Sequence, residues 1–292
     1  MKPAATRGSL YLVATPIGNL EDITLRAIRT LREAHVIACE DTRRTRGLLS
    51  HLDIHTPLLS LHEHNERARI PQILRLLEEG KDVALVSDAG TPGISDPGAP
   101  LVAAVVAAGH PAVSVPGASA VTAAIGLADF PADRFVFVGF LPRRRAERAR
   151  VLTSLAPLPL ALVIFEAPHR IRATLTELED ILGHRRVALG RELTKMHEEV
   201  LRGTAAEVRA ALAEAPRGEV TLVVEGHAAP ATQDAPAGTR PTAEPGAPEA
   251  FVRRLIGEGL SRRDAAHALA AAFGLRPREA YRIAAGTDRK ET

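Results

Sequence analysis

Short apolar runs alternate along the first part of the chain with longer segments in which apolar residues recur at helical spacing. The runs predicted as strands are residues 9–15, 35–39, 58–61, 83–87 and 112–115. The segments predicted as helices are residues 22–34, with Asp22 as cap, and 42–52, 66–79, 98–108 and 118–128. Strands that are apolar throughout and separated by helices indicate a parallel sheet covered on both faces.

A second unit follows a seam at residues 129–133. Its predicted strands are residues 135–138, 160–165, 187–193 and 219–225, and its helices are an arginine-rich segment near 143–150 and residues 168–182 and 204–213. Pro168 is expected in the first turn of its helix. Residues 198–201 are expected as a hairpin neighbour of the last strand, which predicts a mixed sheet. The predicted fold class is α/β, with a parallel-sheet domain at residues 1–129 and a mixed-sheet domain at residues 130–228.

Two further segments complete the predicted domain organisation. Residues 229–248 are rich in Ala, Pro and Gly and predict a linker. Residues 249–292 predict a small helical, helix-turn-helix-like tail with helices at 249–257, 261–273 and 277–285. Its nine basic and six acidic residues leave two alternatives open, contact with nucleic acid or packing against protein.

Composition narrows the class of protein. The 292 residues are 46% hydrophobic and 25% charged, as in soluble globular proteins. Seven Phe, two Tyr and no Trp imply an aliphatic core and argue against a base-stacking platform. The lone Cys39 lies in an apolar run, so a buried thiol is expected rather than a nucleophile. No stretch approaches the roughly 20 apolar residues of a membrane span, and no signal peptide is apparent, so a cytoplasmic protein without membrane contact is predicted.

Two loops dense in turn-forming residues stand out, at residues 14–20 and 86–98. Each follows a predicted strand, and ligands bind at the carboxyl ends of parallel strands, so a ligand site is favoured over a plain connector. Arginines cluster at residues 43–46 and 143–150, which fits either an anion-binding face or a solvated helix surface. The dinucleotide, P-loop, nucleophile-elbow and cysteine-pair zinc motifs are absent from the sequence, and no metal site is predicted.

The segments that carry a family resemblance occur in order between residues 10 and 227. They are residues 14–22, 40–43, 61–66, 86–98, 116–120, 139–142, 191–195 and 224–227. With them the chain resembles the tetrapyrrole-methylase-like (class III) S-adenosylmethionine-dependent methyltransferases, and within these the bacterial 16S rRNA (cytidine 2′-O) methyltransferases. The resemblance covers three quarters of the chain.

The resemblance implies a cleft for S-adenosylmethionine between the two α/β domains. The residues expected to bind this cofactor are Pro16, Ser87, Asp88, Ala89, Gly90, Ile94, Ser95, Asp96, Pro116, Gly117, Ala118, Ser119, Ala120, Phe165, Glu166, Leu193 and Thr194. It also implies 2′-O-methylation of a cytidine in the decoding region of 16S rRNA, cytidine 1402 in the standard rRNA count. The implied partners are 16S rRNA within the small ribosomal subunit and a second copy of the chain, as a homodimer.

Candidates for proton transfer or charge stabilisation at the ribose hydroxyl are Asp41, Glu192 and Lys195. His62 is a less favoured candidate. Arg43, Arg44, Arg143, Arg144 and Arg145 are expected to bind RNA phosphates. Asn19 stands where tetrapyrrole methylases typically carry Asp, which counts against a porphyrinoid substrate. A methyltransferase of tetrapyrroles or other small molecules, and a non-catalytic ribosome-binding protein, remain the alternatives.

Overall fold

The computed structural model describes residues 7–227, 247–257, 262–273, 275 and 277–286. Contacts divide the chain into two compact units, Met1–Ala229 and Pro230–Thr292. The predicted linker at residues 229–248 lies almost wholly outside the described residues. The domain boundaries drawn from the sequence therefore stay predictions.

The first half of the larger unit is built on a five-stranded parallel sheet. Its strands are β1 (Leu10–Val13), β2 (Val36–Cys39), β3 (Leu58–Ser60), β4 (Val83–Val86) and β5 (Ala112–Val115), in the order β3-β2-β4-β1-β5. Its helices are α1 (Leu25–Glu33), α2 (Thr42–His51), α3 (Glu66–Glu78), α4 (Ala99–Ala107) and α5 (Ala120–Gly126). Two apolar clusters, one around Leu31 and Ile37 and the other around Ile73 and Leu101, include alternate residues of the same strands. The prediction of a parallel sheet with two covered faces is confirmed.

The second half contains a mixed sheet, as the sequence predicts. Its strands are β6 (Phe135–Phe140), β7 (Ala161–Glu166), β8 (Arg186–Arg191), β9 (Glu199–Thr204) and β10 (Val220–Val224), in the order β6-β7-β10-β8-β9. Strands β6 and β7 are parallel, and the other pairs are antiparallel. Its helices are α6 (Arg145–Leu155), α7 (Ile171–Leu182) and α8 (Ala205–Ala211). The expectation that residues 198–201 neighbour the last strand is wrong, because β9 pairs with β8 and β10 lies between β7 and β8.

Two predicted helix starts are also wrong. The hydroxyl of Thr24, not Asp22, caps α1 by accepting a hydrogen bond from the Ala27 N–H at 3.0 Å, because Leu20–Asp22 forms a separate 3₁₀ turn. Pro168 lies in a turn before α7, which begins at Ile171. In that turn the Ala167 carbonyl accepts the N–H groups of Arg170 and Ile171.

The smaller unit has three helices in its described part: α9 (Ala247–Gly257), α10 (Arg262–Phe273) and α11 (Pro277–Gly286). They share a core of their own, formed by Val252, Leu269 and four alanines. None of the helices in the described ranges has the length and apolar character needed to cross a bilayer.

Candidate functional site

A cavity of about 280 Å³ opens between the two halves of the larger unit. The first half contributes the loop after β4 and the start of α5, and the second half contributes the ends of β6 and β7 and the start of β10. The lining residues are Ile17, Arg44, Asp88, Ala89, Gly90, Thr91, Ile94, Ser95, Asp96, Ser119, Ala120, Phe140, Phe165, Glu166, Ala167, Pro168, Gly218, Glu219, Val220 and Thr221. The cavity therefore lies at the carboxyl end of a central parallel strand, where open α/β sheets bind ligands.

Gly90 joins the loops that follow β1 and β4. Its N–H donates to the Thr15 carbonyl at 3.0 Å, and the Thr15 N–H donates to the Gly90 carbonyl at 2.9 Å. The φ angle of Gly90 is +80°, in the left-handed region that favours glycine. A Cβ atom at this position would lie 3.4 Å from Ile17 Cγ2 in the cavity wall. The pattern of small residues in this loop thus leaves backbone groups next to the cavity.

Carboxylates gather between the start of α2 and the loop after β4. The Asp41 N–H donates to Asp88 Oδ1 at 3.0 Å, and Arg44 Nη1 lies 3.5 Å from Asp88 Oδ2. Burial raises the pKa of Asp96 to about 6, and the nearby charges of Glu40 and Asp88 act in the same direction. Burial, followed by the charge of Asp88, also raises the pKa of Glu40. This side of the cavity is suited to a ligand that carries positive charge.

The turn between β8 and β9 brings two of the predicted catalytic residues to the cavity edge. Lys195 Nζ donates to Glu192 Oε1 at 2.7 Å and to Glu219 Oε2 at 3.2 Å, and Glu219 lines the cavity. Burial lowers the pKa of Lys195, but the hydrogen bonds and the charges of Glu192 and Glu219 together raise it by more, so the net pKa lies above the ordinary value. Lys195 is therefore a cation at neutral pH and is not poised as a proton acceptor.

Glu166 supports the cavity wall through buried contacts. Its Oε1 accepts from the Ala167 N–H and its Oε2 from the Thr174 hydroxyl, each at 2.7 Å. Arg170 Nε lies 3.2 Å from Glu166 Oε1, and Arg170 Nη2 donates to the Leu141 carbonyl at 2.9 Å. These contacts connect the end of β7 to the loop after β6, so both strand ends keep fixed positions around the cavity.

The structure places the predicted residues unevenly. Those that line the cavity are Asp88, Ala89, Gly90, Ile94, Ser95, Asp96, Ser119, Ala120, Phe165 and Glu166. Those outside the lining are Pro16, Ser87, Pro116, Gly117, Ala118, Leu193 and Thr194. Helix α5 begins at Ala120, later than expected, so residues 116–118 lie in the irregular segment before it. Asp41 is not in the lining either: it caps α2 by accepting the Arg43 N–H, which lowers the pKa of its carboxyl.

Several lining residues were missed from the sequence. Phe140 belongs to one of the segments that carry the family resemblance, but the sequence alone indicates no role for it. Residues 218–221 precede or begin the last strand. Residues 218–221 reach the cavity because β10 and β7 are antiparallel: Val220 at the start of β10 pairs with Glu166 at the end of β7. Arg44, predicted to contact RNA, lines the cavity mouth.

The other predicted RNA-binding residues, Arg43, Arg143, Arg144 and Arg145, have exposed side chains. Asn19 Oδ1 accepts the Glu21 N–H at 3.1 Å and caps the 3₁₀ turn, which is a structural use of this side chain. Cys39 is buried, as predicted, and burial raises the pKa of its thiol. Within the described ranges, no cluster of three or more His, Cys, Asp or Glu side chains could hold a metal ion.

The larger unit thus has two α/β halves with a cavity between their sheets. Comparison of the sequence with known proteins identifies the family that has this architecture. The chain belongs to the tetrapyrrole (corrin/porphyrin) methylase family, whose sequence model matches residues 9–209. Solved structures share this fold. The uroporphyrin-III-C-methyltransferase from Thermus thermophilus aligns with a TM-score of 0.53 and 23% identity over 74% of this chain and 94% of that one. The cobalt precorrin-4 methyltransferase aligns with a TM-score of 0.57 and 19% identity over 76% and 97%.

Closer relatives carry one name, Ribosomal RNA small subunit methyltransferase I. The protein of Halalkalibacterium halodurans is 47% identical over 222 residues, which cover 76% of this chain and 77% of the relative. The protein of Synechocystis sp. is 44% identical over 278 residues, which cover 94% and 97%. The protein of Thermotoga maritima is 49% identical over 220 residues, which cover 75% and 99%.

Proposed function

We propose that this chain is an S-adenosylmethionine-dependent methyltransferase of small-subunit ribosomal RNA that methylates the 2′-hydroxyl of a cytidine. The observation that carries the proposal is the 44% identity to a protein named Ribosomal RNA small subunit methyltransferase I over 94% of this chain. That extent includes both halves that form the cavity. Cytidine 1402 is the proposed target within the decoding region.

The cavity fits the proposed cofactor. A crystal structure with the same fold, from Thermus thermophilus, is described as a complex with S-adenosylhomocysteine. In this chain Ile17, Phe140 and Phe165 give the cavity an apolar and aromatic side, which suits an adenosine group. Asp88 and Asp96 give it a carboxylate side, which suits a sulfonium cation. When bound, S-adenosylmethionine supplies a methyl group activated on a positively charged sulfur.

Residues around the cavity mouth are the candidates for accepting the proton of the ribose hydroxyl and for stabilising the negative charge that develops on its oxygen. Because Lys195 is held as a cation, we assign it the stabilisation of negative charge that develops on the ribose oxygen. Glu192 accepts hydrogen bonds from Lys195 and from the Glu219 N–H, which fits a role in fixing that ammonium group. Asp41 stays a candidate proton acceptor next to Asp88, since its backbone N–H is bonded there while its carboxylate is half-exposed at the start of α2.

Exposed arginines supply the proposed RNA contacts. Arg43 and Arg44 lie in the first turn of α2, and Arg44 also lines the cavity mouth. Arg143, Arg144 and Arg145 lie at the start of α6. Neutralising their charges is expected to weaken RNA binding and to reduce its dependence on salt, because each phosphate contact releases counterions. The affinity for the cofactor should stay nearly unchanged for the arginines outside the cavity.

A homodimer and a cytoplasmic location are proposed on the basis of the family resemblance. Sedimentation equilibrium of the full chain tests the first, with twice the chain mass expected. Fractionation of cells that express the tagged chain tests the second.

The proposed activity is tested by transfer of a labelled methyl group from S-adenosylmethionine to unmethylated small ribosomal subunits and to free 16S rRNA. Nucleosides recovered after digestion should include labelled 2′-O-methylcytidine, and fragment mapping should place the label at cytidine 1402. Label in a tetrapyrrole but not in RNA would instead support the small-molecule alternative. Binding of the subunit without transfer of label would support a non-catalytic protein.

A further inference from the structure

A β-bulge in β6 places Phe140 on the cavity side of the second sheet. Phe137 pairs with Val163, but Gly139 pairs with Ile164 and Phe140 with Phe165, so β6 holds one more residue than β7 over this stretch. Side chains of a regular strand alternate between faces, and Phe137 and Phe140 would then point to opposite sides. The extra residue brings both rings to the same face, and bulges of this kind re-aim side chains next to binding sites.

The bulge lies close to the other half of the unit. Gly139 has a φ angle of +70°, and a Cβ atom there would lie 3.1 Å from Ser95 Oγ in the loop after β4. Only a residue without a side chain combines this φ angle with this close approach at low cost. The end of β6 therefore lies close to the loop that forms the opposite cavity wall.

The ring of Phe140 is oriented but not buried. Its centroid lies 5.6 Å from that of Phe165 in an edge-to-face arrangement, and the Phe165 centroid lies 5.0 Å from that of Phe137. Three of the seven phenylalanines in this aromatic-poor chain thus meet at one wall. Phe140 nevertheless keeps 59% of its surface exposed, although burial of a phenylalanine side chain is favourable. The packing of the described residues gives no reason for an exposed ring in this position.

We propose that Phe140 is a stacking platform for a nucleobase in the cavity. The proposal rests on the proposed function, which brings two nucleobases to this site: the adenine of the methyl donor and the pyrimidine of the target nucleotide. A flat ring, oriented by a neighbouring ring and open to the cavity, is the side-chain surface on which bases stack. The low aromatic content of the sequence argues against a base-stacking platform of several rings. A single stacking position at Phe140 is compatible with that content, because it needs few aromatic residues.

The test compares three variants of the full chain. Phe140→Leu keeps an apolar side chain and removes the flat ring, while Phe140→Tyr keeps the ring. Phe135→Leu is the matched control, since Phe135 is 41% exposed at the other end of the same strand and does not line the cavity. One arm measures the Kd of S-adenosylhomocysteine by calorimetry. The other arm measures the KM for unmethylated small ribosomal subunits at saturating S-adenosylmethionine.

Removing a stacked base contact costs about 1–3 kcal/mol, which corresponds to about 5- to 150-fold in affinity. A loss of this size for Phe140→Leu in the first arm identifies adenine as the base, and a loss in the second arm identifies the target pyrimidine. Phe140→Tyr and Phe135→Leu should stay close to wild type in both arms. Values within twofold of wild type for Phe140→Leu in both arms would overturn the proposal.

Failure of the proposed function gives a different result. In that case the wild-type chain transfers no methyl group to the subunit, whatever residue stands at position 140. The first arm, together with equilibrium binding of unmethylated 16S rRNA in place of KM, then still decides whether the ring stacks on a base. Equal Kd values for wild type and Phe140→Leu in both of these measurements would overturn the stacking role.

Discussion

Arginine side chains of the cluster at residues 143–150 differ in their exposure to solvent. Arg144 is 84% exposed at the start of α6, whereas the Arg148 side chain is only 8% exposed. Arg148 Nε and Nη2 each donate to the Glu177 carboxylate at 2.6 Å, and Nη1 donates to the carbonyls of Pro142 and Arg143. The hydrogen bond to Glu177 raises the pKa of Arg148. Charge clustering in a sequence therefore does not separate a ligand-binding arginine from one that holds a loop.

We predict that Arg148→Ala destabilises the protein by about 3 kcal/mol, because it leaves the Glu177 carboxylate buried without its bidentate partner. Arg144→Ala, the matched control, should change the free energy of unfolding by less than about 0.5 kcal/mol, since its pair with Glu147 is exposed. Urea unfolding of both variants measures the difference. Equal small losses for the two variants would show that the buried pair does not stabilise the fold.

The raised pKa of Asp96 leads us to predict that the stability of the protein depends on pH. Because its pKa is raised to about 6 in the folded chain, the folded state binds the proton more tightly than the unfolded state, whose pKa is near 3.8. This carboxyl therefore contributes a decrease in stability as pH rises from about 4 to 6. Asp96→Asn should be more stable than wild type above pH 6, and the difference should shrink towards pH 4. Unfolding at a series of pH values tests this, and a difference that does not depend on pH would contradict it.

At the scale of elements, the ends of β4, β6, β7 and β10 determine the shape of the cavity. The pattern of apolar runs predicts β4 and the loop after it, and Asp88, Gly90 and Asp96 in this loop do line the cavity. The sequence does not predict the position of Phe140, because alternation along β6 points it away from Phe137 and only the pairing with β7 shows the extra residue. It does not predict Gly218 either, because the place of β10 depends on which strands pair across the second half.

Gly139 tests the bulge directly. An alanine at a φ angle near +70° costs about 1–2 kcal/mol, and at Gly139 it also meets Ser95 Oγ. Gly183 has a φ angle of +71° with open space around its position, so Gly183→Ala carries a backbone cost without a steric contact. Both variants should lose stability in urea, but only Gly139→Ala should also lose methyl transfer, because the end of β6 is displaced. Equal activity of the two variants would argue against a role for the bulge.

At the scale of the whole molecule, the chain consists of two units with separate apolar cores. The larger unit contains both sheets and the cavity, and relatives such as the Thermotoga maritima protein align over 99% of their length with about three quarters of this chain. The second unit is therefore not needed to form the cavity. We propose that this second unit aids capture of the ribosomal substrate. As a module linked to the larger unit, it would bind the subunit and so raise the effective concentration of the RNA near the cavity.

Truncation after His227 tests this division of roles. The shortened chain should fold, bind S-adenosylmethionine like the full chain and methylate small subunits less efficiently at limiting concentration, through a higher KM. Calorimetry and methyl transfer measure the two properties. Unchanged KM would remove the proposed role of the second unit, and failure to fold would show that the second unit belongs to the core.

The central claim is that the cavity beside Gly90 holds the methyl donor for transfer to ribosomal RNA. Gly90→Val places a side chain against Ile17 in the cavity wall, whereas Gly93→Val carries a similar φ angle, +82° against +80°, in open space. Transfer of labelled methyl groups to small ribosomal subunits is measured for both variants and wild type, after their folding has been checked by circular dichroism. The wild type and Gly93→Val should label cytidine, while Gly90→Val should be folded and inactive. Equal labelling by Gly90→Val and wild type, or no labelling by wild type, would contradict the claim.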